Sequence, residues 1–147
     1  MIRRAGFSLI EMLIVVVVIG LMTLIALPRL ADAFAQNNLN SARVKIVSLF
    51  STARATAAGT SRLTVLRLSG NQIYVVAAGK MNGGAGTIDT VTPVENVYTE
   101  YGVTANVSAD SILLDQNGLG RNGATIILTK SGRADTITIS QYGRILK

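Results

Sequence analysis

The chain divides into three stretches with different hydrophobic patterns. From Phe7 to Leu27 almost every position is apolar, and Glu11 is the one charged residue in the run. A helix of that length is about 31 Å long, close to the roughly 30 Å hydrocarbon core of a bilayer. Beyond Pro28, Leu39, Ala42, Ile46, Leu49, Phe50, Ala53 and Ala57 recur at spacings of three and four. Ser41, Lys45, Ser48, Thr52 and Thr56 form a separate polar stripe. This is the signature of an amphipathic helix. Proline disturbs the helical ladder and tends to kink it, yet the helical pattern resumes, and Gly59 is a natural stop. The pattern therefore predicts one long helix over 7–58, apolar all round in its first half and one-sided in its second. Gln36-Asn37-Asn38 interrupts the stripe as an exposed turn of helix.

After Gly59 the pattern shortens to strands. Leu63–Leu68 and Ile73–Ala78 flank Ser69-Gly70-Asn71-Gln72, a hairpin signal. Ala124–Thr129 and Thr136–Ser140 flank Ser131-Gly132 in the same way, with Ile137 and Ile139 on one face. Ile112–Leu114 and Arg144–Leu146 are short strand candidates, and 91–109 is weakly patterned. The expected class is α+β: a long N-terminal helix on a small antiparallel sheet. The expected organisation is a leader over 1–6, a membrane-spanning half-helix over 7–27, an amphipathic half-helix over 28–58, and a β-rich head over 59–147.

Composition removes several functions. The 147 residues include no cysteine and no histidine. Thiolate chemistry and disulfides are excluded, and the commonest general base and metal ligand are both missing. No enzyme activity, metal or cofactor is expected. The formal charge is +6; loss of Arg3 and Arg4 with a leader would leave a modest positive balance, compatible with anionic lipid or nucleic acid and requiring neither.

The N-terminal run admits three readings. Arg3 and Arg4 before the helix suit a signal anchor with its N-terminus cytoplasmic. Ala31-Asp32-Ala33 before Phe34 matches a signal-peptidase site, but the apolar run is too long for an ordinary signal peptide. The third reading accounts for Glu11, since a carboxylate deep in a spanning helix costs about 2.5–3.5 kcal/mol unless paired. Cleavage after Gly6 would give Phe7 an α-ammonium one helical turn from Glu11. An ammonium and a carboxylate on neighbouring helices then neutralise each other and set the axial offset between subunits.

The string Arg4-Ala5-Gly6-Phe7-Ser8-Leu9-Ile10-Glu11-Met12-Leu13-Ile14, with Pro28 after the apolar run, resembles the type IV filament superfamily of pilins and pseudopilins. The resemblance implies that a prepilin peptidase cuts between Gly6 and Phe7 and N-methylates Phe7. It implies that Glu11 guides assembly with other pilins or pseudopilins on an inner-membrane platform. It also implies a single-pass protein of the bacterial inner membrane with a periplasmic head. Leu114-Asp115-Gln116-Asn117-Gly118-Leu119-Gly120-Arg121 and Ser140-Gln141-Tyr142-Gly143-Arg144-Ile145 are similar to the GspH/FimT group. The function expected first is a GspH-like minor pseudopilin of type II secretion. The alternative is a FimT-like minor pilin that binds DNA for uptake or adhesion.

Four further motifs have plain readings. Gly83-Gly84-Ala85-Gly86 lacks the Lys-Ser/Thr of a phosphate loop. Asp115-x-Asn117-Gly118 lacks the bidentate Glu of a calcium loop. Asn106-Val107-Ser108 fits a glycosylation triplet that chance supplies often. Arg121, Lys130, Arg133, Arg144 and Lys147 crowd the last 27 residues and form a phosphate contact only if the fold gathers them. Gly143-Arg144-Ile145-Leu146-Lys147 departs from the Gly-Arg-x-Arg of DNA-binding minor pilins, and a solvated basic face is the plainer account.

Overall fold

The computed structural model describes residues 7–79 and 88–146. Gly6, Lys147 and the glycine-rich stretch Gly83–Gly86 lie outside the described residues. The chain forms two compact units, Met1–Phe34 and Ala35–Lys147.

Helix α1 runs over Leu9–Thr60 and includes Pro28. In the first unit every described residue is exposed. Leu9, Val16, Met22 and Leu24 are each more than 65% accessible. None of its described residues is buried, and its mean hydropathy reaches 2.8 over a window of 18 residues. An apolar surface of this extent is covered by lipid or by other helices.

In the second unit α1 turns one stripe inward. Ala35, Leu39, Ala42, Ile46, Leu49, Phe50, Ala53 and Ala57 are all buried, as the spacing predicts. The helix ends later than expected. Gly59 is inside it, and the left-handed stop is Ser61, with φ 51°. Ser tolerates that conformation less easily than Gly.

The head holds two antiparallel sheets where the sequence suggested one. The first contains β1 (Thr64–Ser69), β2 (Gln72–Ala78), β3 (Ile88–Thr90), β4 (Glu95–Asn96) and β6 (Ser111–Leu114). Its order is β3-β2-β1-β6, with β4 also on β2. The second has order β5-β7-β8-β9, from β5 (Thr104–Val107), β7 (Ala124–Lys130), β8 (Arg133–Ile139) and β9 (Ile145–Leu146). Both expected hairpins form, each with a two-residue loop: Gly70-Asn71 joins β1 to β2, and Ser131-Gly132 joins β7 to β8. Ser131 and Gly132 both have positive φ (50° and 76°), as a turn matched to strand twist requires. Leu66, Leu68, Ile73, Val75, Ile112 and Leu114 from one sheet share a core with Ile126, Leu128, Ile137 and Ile139 from the other. The helical stripe of the same unit completes that core.

Short helix α2 (Val97–Tyr101) occupies the weakly patterned stretch. Asn96 caps it, its side-chain oxygen accepting from Tyr98 and Thr99 N–H, and Gly102 closes it with φ 61°. Asparagine side chains also tie edges together. Asn71 Oδ1 accepts the Ala105 amide at 2.8 Å and so links the two sheets. Asn122 accepts from Leu113 N–H and donates to the Ser111 carbonyl, both at 2.7 Å. Asn122 thereby occupies backbone groups along the free edge of β6, where a foreign strand would otherwise pair.

Candidate functional site: the N-terminal segment and the basic head

Phe7 precedes α1 and is 74% exposed. Glu11 lies in the first turn of α1. A carboxylate there meets the positive end of the helix dipole. Ser8 and Glu11 also have the S-x-x-E spacing of a capping box. Among the described residues no ion pair reaches Glu11. The surface around it consists of Ile10, Met12, Leu13, Ile14 and Val15, all exposed. Such a surface packs against other apolar helices, and a carboxylate within it needs a cationic partner from outside this segment.

The five C-terminal cations do not gather as the basic-patch reading required. Lys130 and Arg133 face each other across the β7–β8 turn. Lys130 Nζ donates to the Tyr101 carbonyl, and Arg133 Nη1 donates to Gln36 Oε1 at 3.4 Å. Arg144 sits at the other end of β8, where the Ser140 amide donates to its carbonyl. Seven strand residues separate the two ends by about 20 Å. The Arg121 backbone lies near the Arg144 end: Gly120, beside it, packs against Gln141 and Gly143. Lys130 and Arg133 thus lie at one end of the hairpin and Arg144 at the other, the Arg121 side chain lies beside Arg67 on the first sheet, and Lys147 lies outside the described residues. The single acid among the last 27 residues, Asp135, is engaged by Arg43 of α1, whose Nη1 is 2.9 Å from each carboxylate oxygen.

The Gly-rich strings near Gly120 and Gly143 have a structural role. A Cβ on Gly120 would lie 2.8 Å from the Gln141 carbonyl oxygen and 2.9 Å from the Gly143 nitrogen. Only glycine admits this crossing of two loops. Arg54 of α1, which no motif in the chain singles out, holds both loops: Nε donates to the Gly118 carbonyl at 3.2 Å and Nη1 to the Gly143 carbonyl at 3.4 Å. Asp115 Oδ1 accepts from the Asn117 and Leu119 amides at 2.9 and 2.8 Å. It serves a turn. The described residues hold no cluster of three or more His, Cys, Asp or Glu able to bind a metal.

One charged cluster has shifted protonation. Lys45 Nζ lies 2.9 Å from Glu95 Oε1. The hydrogen bond from Lys45, aided by one to Glu100, holds the Glu95 carboxyl below its ordinary value. The same bond raises Lys45. Burial, with Glu100 beside it, raises the Tyr101 phenol.

Comparison with known proteins decides the family. Residues 1–27 match the prokaryotic N-terminal methylation motif. The type IV narrow pilus major component PilA5 of Thermus thermophilus is 30% identical over 122 residues, which are 81% of this chain and 93% of that protein. The chain belongs to the type IV pilin family. It is a structural subunit and not an enzyme. Two crystal structures of the type IV minor pilin FimU of Pseudomonas aeruginosa share the fold at 19% identity. One covers 76% of this chain and 88% of FimU with a TM-score of 0.58; the other covers 74% and 90% with 0.54. Pilins assemble into filaments with other pilins, and the methylation motif implies processing by a prepilin peptidase. The motif and the apolar half of α1 give this pilin a membrane anchor.

Proposed function

We propose that this pilin is a subunit of a type IV pilus. In this reading a prepilin peptidase cuts between Gly6 and Phe7 and methylates the new terminus. The chain waits in the bacterial inner membrane with its N-terminus cytoplasmic and its head periplasmic, and an assembly platform draws it into the filament. Glu11 then pairs with the Phe7 ammonium of a neighbouring subunit. The exposed apolar surface of 7–34, which has no core partner in its own unit, becomes the packing surface between helices.

The observation that carries the pilus reading is the relationship to PilA5, itself a pilus component, over four-fifths of the chain. The FimU likeness bears on the fold alone. The named relative favours a pilus over the type II secretion pseudopilus that the sequence placed first. The placing of Lys130 and Arg133 at one end of the hairpin and Arg144 at the other gives the DNA-binding alternative no added support.

Deleting the gene in its native host tests this. Surface filaments should be lost or altered while exoprotein secretion continues. Normal filaments with blocked secretion would return the pseudopilus reading.

A further inference from the structure

The outer face of the first sheet, opposite the core, carries an apolar groove of about 250 Å³. Leu113, Val65 and Val76 form a row across β6, β1 and β2, and Ala78 pairs with Ile88 at its side. Val76 is nearly covered, whereas Leu113 and Ile88 are 38% and 64% exposed. Arg67 and Arg121 also line the groove. The ion pairs among the described residues engage Arg43, Lys45 and Arg62, so both groove arginines remain without a carboxylate partner. The acid sharing a recess with Arg121 is Asp115, whose Oδ1 is taken by two backbone amides.

We propose that this groove binds an anionic amphiphile: an alkyl chain of medium length bearing a carboxylate or similar headgroup. The apolar row takes the chain, and Arg67 and Arg121 take the charge. Paired guanidinium groups recognise a carboxylate through several charge-assisted hydrogen bonds. The lining argues against a peptide. Of the described residues that line the groove, Thr64, Arg67 and Arg121 alone have polar side chains. A bound peptide would leave most of its backbone groups unsatisfied there. Pairing along the β6 edge is obstructed as well, because Asn122 and the Arg121 amide bond to Leu113 and Ser111. The proposal does not depend on which filament the subunit joins.

The test uses the full chain in lipid nanodiscs and a photoreactive diazirine analogue of decanoate, with the matching alcohol as control. Digestion and mass spectrometry locate the label, and labelling of the 9–34 helix reports non-specific partition. The expected result is saturable labelling of peptides 63–67 and 68–80, with the acid preferred over the alcohol by about tenfold. Arg67→Gln with Arg121→Gln removes the preference and leaves labelling of the 9–34 helix unchanged. Label confined to that helix, equal labelling by acid and alcohol, or a preference that survives both substitutions overturns the proposal. So does a photo-crosslink joining two copies of the chain through the groove, which would make the site a subunit contact.

Discussion

Arg54 Nε lies 3.2 Å from the Gly118 carbonyl oxygen, and the same guanidinium reaches the Gly143 carbonyl. One helical side chain therefore fixes two loops that cross at Gly120. Arg54→Met keeps the aliphatic stem and removes the donors. It should cost about 1–2 kcal/mol and raise amide exchange in 140–146 more than in the β1–β2 hairpin. Urea unfolding and hydrogen exchange read both effects. Equal exchange across the head would mean that Arg54 does not hold these loops.

The second unit carries its own core, from Leu39 through Ile139. A chain beginning near Ala31 should be soluble and should melt cooperatively, with mixed helix and strand by circular dichroism. Aggregation would show that the head depends on the apolar segment.

Two glycines should respond with opposite signs. Gly59 sits in α1 with nothing within 4 Å of an added Cβ. Gly59→Ala should stabilise by up to about 1 kcal/mol. Gly120→Ala forces Cβ against the Gln141 carbonyl oxygen at 2.8 Å. It should destabilise by about 1–3 kcal/mol. Urea midpoints of the two variants decide this, and a neutral Gly120→Ala would contradict the loop crossing.

The Lys45–Glu95 pair predicts a shallow pH dependence. Glu95 is held below its ordinary value near 4.5, chiefly by its bond with Lys45. Its contribution is complete above that value and is lost as pH falls through the lowered one. Lys45 is raised above 10.5 by the same bond. Its contribution is complete below that value and is lost as pH rises through the raised one. The plateau thus lies between the two. Both groups are partly solvated, with side-chain exposures of 35% and 14%. The effect should be a few tenths of a kcal/mol and salt-sensitive. Glu95→Gln should flatten the acid limb of a melting-temperature profile; an unchanged limb would assign it to other carboxylates.

Much of this was legible in the chain. The stripe Leu39–Ala57 is buried residue for residue, because a one-sided helix has one way to meet a core. Ser131-Gly132 marked a hairpin because a glycine between two apolar strands signals a tight turn, and Gly132 takes the positive φ that the turn needs. Other features were hidden. Helix α2 is a single turn that depends on the Asn96 cap and the Gly102 stop, too short to give a period. The division into two sheets rests on β1 pairing with β6 more than forty residues later, which no local pattern encodes. At the N-terminal segment the motif was readable because its chemistry is local in sequence. Arg54 and the Arg67/Arg121 groove were not, since they exist only where distant strands and loops meet.

In the proposed function the chain is a processed pilin built into a filament through Phe7 and Glu11. Mass spectrometry of the N-terminal peptide from sheared surface filaments decides this, with Glu11→Ala and Glu11→Gln alongside. Glu11→Gln preserves hydrogen bonding at the helix start and removes the charge. N-methyl-Phe7 is the expected terminus in wild-type filaments. Both variants should be membrane-inserted and cleaved yet depleted from filaments by at least about tenfold, the ammonium having lost its partner. Filaments containing an intact Met1 or a Phe34 terminus, or full incorporation of Glu11→Gln, would contradict it.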